Sequence, residues 1–134
     1  MGDRAAAADR RRALGRGQVS EYLAALYLML KGYRIVALRY RTKLGEIDII
    51  ARKRNLAIFV EVKARREEMS AIDAVSPTAQ NRIRAASDLW LRRQRDYALL
   101  SRRYDIVAIL PGRLPRTFRM PSDVIAIACK RIRL

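Results

Sequence analysis

Apolar residues from about Arg16 to Lys31 recur at spacings of three and four (Val19, Leu23, Leu26, Tyr27, Leu30), which predicts a helix with one apolar face. Gly32 supplies its stop. Residues 33–40 then alternate as a strand would, through Tyr33, Ile35, Ala37 or Leu38, and Tyr40. Arg41 to Gly45 reads as a turn, residues 46–52 as a second strand, and Leu56 to Ala64 as a third, joined through Lys53-Arg54-Asn55. Connections this short make the three strands an antiparallel meander.

After a polar stretch from Arg65 to Val75, Ser76-Pro77 opens a second helix, with Ser as cap and Pro at the first helical position. Ile83, Ala86 and Trp90 form its apolar stripe, and it runs to about Arg93. Tyr104 to Leu110 is nearly all apolar and predicts a central strand ended by Pro111-Gly112, and Val124 to Cys129 reads as a closing edge strand. The order of helix, three strands, helix, strand and strand predicts an α/β fold with a mixed sheet. Residues 1–14, rich in Ala and Arg, read as a disordered basic tail, and residues 15–134 as a single domain.

Charge changes the picture more than length does. The 134 residues hold 29 Lys and Arg against 13 Asp and Glu, a net charge of +16 with no His. Most of the basic residues are Arg, whose planar fork suits phosphate oxygens, so the balance points first to a nucleic-acid partner, then to a membrane surface or ribosome, with a solubility charge as the bland alternative. The lack of His excludes Ser-His and Cys-His nucleophile designs. With Cys129 as the lone cysteine, a structural zinc site and an intrachain disulfide are excluded as well, which suits the cytoplasm. No stretch has the roughly 18 apolar residues of a membrane helix, and the N-terminus lacks a signal-peptide core, so no membrane partner is expected.

Two predicted strands carry acids where core residues would be expected. In Gly45-Glu46-Ile47-Asp48-Ile49-Ile50, Glu46 and Asp48 share one face; in Phe59-Val60-Glu61-Val62-Lys63, Glu61 and Lys63 share one face. Strict alternation puts Ile47, Ile49, Val60 and Val62 on the opposite faces, anchoring both strands. An ionised carboxylate among apolar neighbours is costly unless paired, and a hard divalent cation would pair two of them across adjacent strands. Lys63 would then stand where a cation can orient water or offset phosphate charge. The bland alternative is a salt-bridged patch on a solvated sheet face.

The set Gly17, Glu21, Gly32-Tyr33, Tyr40-Arg41, Gly45-Glu46-Ile47-Asp48, Phe59-Val60-Glu61-Val62-Lys63, Asp73-Ala74-Val75, Gln80, Arg82 and Tyr104-Asp105 resembles the YraN-like family of small bacterial proteins. That family is placed by its motif with the PD-(D/E)xK nucleases and is similar to archaeal Holliday-junction resolvases. The resemblance spans about residues 15–110. It implies a restriction-endonuclease-like core and metal-dependent phosphodiester hydrolysis of nucleic acid, with DNA ahead of RNA and branched or flapped DNA among the candidate substrates. Asp48 and Glu61 would ligate Mg²⁺, or Mn²⁺ in its place, with the Val62 carbonyl and with Glu21 from the first helix. Lys63 would position the hydrolytic water and Gln80 a metal-bound water or phosphate. Arg41, Arg65, Arg82, Arg92 and Arg93 would hold the nucleic-acid backbone without reading sequence. Two positions depart from the family pattern: Arg39, where Asn is expected, and the loop from Arg65 to Met69, which lacks an expected glycine.

The rival reading is a nucleic-acid- or ribosome-binding protein that keeps a nuclease fold without turnover. A junction resolvase needs two sites, hence a homodimer, yet the sequence displays no clear dimer surface. Asp105 is expected to be a structural hydrogen-bonding carboxylate, Ser20 an ordinary helix residue, and Trp90, Tyr22, Tyr27 and Tyr33 core residues.

Overall fold

The computed structural model describes residues 19–64 and 76–120. The tail at 1–14, Arg65 and the strand expected at Val124 to Cys129 lie outside the described residues. Helix α1 covers 19–30. It is followed by β1 (Arg34–Arg41), β2 (Glu46–Lys53) and β3 (Leu56–Ala64), then by α2 (Pro77–Arg92), a 3₁₀ turn (Tyr97–Leu99), β4 (Ser101–Ile109) and β5 (Arg116–Arg119). The described strands form one sheet in the order β1-β2-β3-β4-β5. The β1–β2, β2–β3 and β4–β5 pairs are antiparallel, and β3 runs parallel to β4. This is the mixed sheet of a restriction-endonuclease-like core. Strand β5 was not anticipated: its four residues carry two arginines and no alternation strong enough to mark a strand. Among the described residues, no helix is long and apolar enough to cross a membrane.

Local chemistry accounts for the joints. Ser76 caps α2, its hydroxyl accepting from the Ala79 N–H at 3.2 Å, with Pro77 at the helix start. The β1–β2 turn is tied by Thr42, whose N–H and hydroxyl both donate to the Gly45 carbonyl, at 2.8 and 2.7 Å. The same hydroxyl accepts from the Gly45 N–H at 3.0 Å. Gly45 is buried against the backbone of α2 at Arg82, where a Cβ would overlap the Arg82 carbonyl. The parallel β3–β4 pair needs a long crossover, and α2 lies within it.

Each sheet face has its own core. On one face Ile47, Ile50, Phe59 and Ile106 pack with Ile83, Ala86, Trp90 and Leu91 of α2. On the other, Ile49, Ala51, Ile58, Val60 and Val107 pack with Ala24, Ala25 and Leu28 of α1. Asp105 is fully buried in β4, held by Arg103, which also donates to the Tyr33 hydroxyl at 2.8 Å. It is the structural carboxylate expected.

Helix α1 is turned opposite to expectation. Its buried face is Ser20, Ala24, Ala25 and Leu28, with Tyr27 half-buried. Val19, Leu23, Leu26 and Leu30, expected inside, are exposed, as are Tyr22 and Met29, with exposures from 46% at Leu23 to 81% at Leu30. Periodicity finds apolar stripes but does not rank two of them on one helix. The stripe of small residues lets the helix lie close to the sheet, so the large side chains point outward.

Gly45→Ala should lower stability by at least about 2 kcal/mol, because the added methyl meets backbone that cannot rotate away. Gly112→Ala adds a methyl in open space at a positive φ of 65°, and should cost nearer 1 kcal/mol. Urea midpoints of the two variants measure this; equal losses would contradict the close approach of Gly45 to α2.

Candidate active site

The acids meet where β2 begins and β3 ends, and β2 breaks its own rule there. Ile47 packs toward α2 and Ile49 toward α1, so the strict alternation expected across Ile47 and Ile49 does not hold at Asp48. Paired register between β2 and β3 runs from Lys53↔Leu56 to Ile49↔Val60 and goes no further. Beyond that point the Val62 N–H donates to Asp48 Oδ2 at 2.8 Å. The side chain of Asp48 thus accepts a backbone donor of β3 just past the regular ladder, which fixes the carboxylate against the neighbouring strand.

Glu61 sits beside it on β3, close enough to share a hydrogen bond with Asp48. Lys63 Nζ lies 3.2 Å from Glu61 Oε1, and both side chains are largely shielded from solvent. Burial pushes Asp48 up to about 7, the Glu61 charge adds to the rise, and the Val62 N–H opposes it. Burial likewise raises Glu61, with Lys63 opposing. Two carboxyls held together out of water resist full ionisation, and a bound cation would relieve that cost.

Glu21 comes close enough for its charge to act on Asp48, yet its carboxylate is paired with Arg39 Nε at 2.6 Å. Arg39 has a positive φ of 52°. Few residues other than Gly adopt that conformation readily, and Asn is among those that do, which gives a physical basis for the Asn expected there. Sequence reasoning noted Arg39 only as a departure; its engagement of Glu21 is what it missed. Among the described residues, no three or more acids converge into a ready-made metal cluster. The fit to a hard cation therefore rests on the Asp48–Glu61 pair, an all-oxygen donor set.

Gln80 is buried in the first turns of α2. Glu46 is exposed and lies 3.7 Å from Arg41, so that pair is a surface ion pair. Arg82 and Arg92 on α2 and Arg93 at its C-cap are exposed. Trp90 is buried against Phe59, in edge contact at 5.8 Å, as expected of a core residue, whereas Tyr22 is exposed and is not one.

Fold and site together define an α/β protein with a restriction-endonuclease-like core and a half-buried carboxylate pair at the strand ends. A family model described as uncharacterised protein family UPF0102 matches residues 20–109, and the chain belongs to that family. A UPF0102 protein of Rhizobium johnstonii is 72% identical over 118 residues, covering 88% of this chain and 97% of the relative. One of Rhizobium meliloti is 67% identical over 105 residues, covering 78% and 86%. One of Agrobacterium fabrum is 62% identical over 109 residues, covering 81% and 89%. The matched span contains Glu21, Asp48, Glu61, Lys63 and Gln80.

In the unfolded chain Asp48 ionises near its ordinary 3.8, in the folded protein only near 7. The folded state is therefore best supported below pH 4 by this group, and loses stability as pH climbs to about 7. Asp48→Asn keeps an acceptor for Val62 and removes the loss. Without divalent cations it should be more stable than wild type above pH 7 by at least about 1 kcal/mol, the gap closing toward pH 4. Denaturant unfolding across that range measures it; a variant less stable than wild type at pH 8 would make Asp48 a structural ion-pair partner.

Proposed function

We propose that the protein is a divalent-cation-dependent phosphodiesterase acting on nucleic acid, DNA rather than RNA, within the PD-(D/E)xK nuclease superfamily. The observation that carries this reading is the convergence of Asp48 and Glu61 from adjacent strands, half-buried and mutually repelling, with Lys63 on Glu61.

In this reading Asp48 and Glu61 hold the cation, Mg²⁺ or Mn²⁺, assisted by the Val62 carbonyl. The cation when bound polarises the scissile phosphate and lowers the pKa of water. The Val62 N–H keeps Asp48 aimed across the strand boundary. Lys63, beside Glu61, would orient the attacking water and offset charge developing on the phosphate. Gln80 supports the water or phosphate from α2. Glu21 would add a further carboxylate to the cation's donor set from α1, and Arg39 beside it would offer a contact to the phosphate. The exposed Arg82, Arg92 and Arg93, with Arg41 and with Arg65 from outside the described residues, supply affinity without base reading. Branched or flapped DNA is the substrate class favoured by the similarity to junction resolvases.

One observation favours the rival reading, a nucleic-acid- or ribosome-binding protein without turnover: Glu21 is tied to Arg39, which leaves two acids, not three, at the centre. A labelled panel of duplex, flap, junction, single strand and RNA, with Mg²⁺, Mn²⁺ or EDTA, separates the readings. Asp48→Asn and Lys63→Ala should each abolish cation-dependent cleavage while leaving binding within about a factor of three, because affinity comes from arginines elsewhere. Millimolar Mg²⁺ should raise the wild-type melting temperature and leave that of Asp48→Asn unchanged. Binding that persists with no cleavage of any substrate and no Mg²⁺ effect on the melt would leave only the binding module.

Removing Arg92 and Arg93 should weaken binding and flatten its salt dependence by roughly one unit in the log–log slope per lost phosphate contact. Affinity indifferent to salt would assign the basic surface another purpose.

A further inference from the structure

The outward face of α1 is unlike the rest of the described surface. Val19, Tyr22, Leu23, Leu26, Met29 and Leu30 lie on it, all exposed, with no charged residue in the stripe. Positions 19, 22, 26 and 29 are spaced alternately three and four apart, and Leu23 and Leu30 widen the seam. That is the spacing by which one helix packs on another. The opposite face of the same helix is already spent on the sheet.

We propose that this face is the dimer interface, and that its occupant is α1 of a second copy of the chain. The exposed apolar residues offer on the order of 700 Å², near the ~800 Å² that each partner gives to a stable interface and above the usual largest patch of a monomer. An uncharged apolar stripe is self-complementary about a two-fold axis, since each large side chain meets another apolar one. Charge also favours this surface. At +16 per chain, two copies repel, but α2 with Arg82, Arg92 and Arg93 lies on the other side of the sheet and would point away from the partner. A membrane surface fits less well, because a membrane-lying helix sets Lys and Arg opposite its apolar face, where α1 has Ala24, Ala25 and Leu28 packed on the sheet. The proposal stands apart from the catalytic reading and survives its failure.

Sedimentation of the full chain across the micromolar range tests it. Wild type should be a dimer that tightens as salt is raised, because screening removes the repulsion between copies. That trend is opposite to the one expected for nucleic-acid binding. Leu23→Glu/Leu26→Glu should weaken association at least about tenfold. At dilutions where wild type is monomeric, the variant should melt with wild type, since both side chains are exposed in the monomer. A wild type that stays monomeric, or a variant that stays dimeric, overturns the proposal. So does a variant whose monomer unfolds early, which would mean that the chain's own terminal residues cover the face. A monomer that floats with anionic vesicles would replace the second copy with a membrane surface.

Discussion

Two carboxyls held together away from water are the constraint around which this molecule is arranged. Asp48 and Glu61 each resist ionisation because of burial, and the Glu61 charge drives Asp48 further up. A fold keeps such a pair only if neighbouring groups fix it. Here the Val62 N–H, donated to Asp48 past the end of the paired register, holds one acid, and Lys63 holds the other. The irregularity in β2 falls at the same place: Ile47 and Ile49 pack into different cores on either side of Asp48, where the paired register with β3 stops.

The rest of the fold steadies that junction. Strand β3 lies at the middle of the sheet, antiparallel to β2 and parallel to β4, with apolar cores on both faces. Helix α2 presses on the turn before β2 at Gly45, where only a glycine lets the two backbones meet. The acid-bearing start of β2 is therefore set by backbone contact with α2, and the end of β3 by its ladder with β4. Backbone contacts and ladders of this kind keep two mutually opposing acids close without the strands simply spreading apart.

Much of this was legible in the residues. The meander, the Ser76-Pro77 helix start and the acids on β2 and β3 follow from alternation, capping chemistry and the oddity of Asp48 and Glu61 among apolar neighbours. Three features were not. Helix α1 carries two apolar stripes, and pattern analysis favours the one with Leu23 and Leu26, whereas the packing used Ala24, Ala25 and Leu28. Strand β5 belongs to the sheet through backbone pairing with β4 and not through any alternation of its own. The switch of faces between Ile47 and Ile49 goes with a bond that Asp48 accepts from a backbone N–H 14 residues away, which no local pattern records.

Arg39 ties these strands of argument together. It lies on β1 between the pairs Leu38↔Ile49 and Tyr40↔Ile47, so it comes beside Asp48, and it adopts a backbone conformation that suits Asn better than Arg. An Asn there would ease the backbone but carry no charge. Arginine accepts the local strain and in return engages Glu21, a third acid whose charge still adds to the repulsion on Asp48. The consequence is a cluster in which two of the three acids each have a basic partner, Glu21 in Arg39 and Glu61 in Lys63, while Asp48 rests on the Val62 N–H.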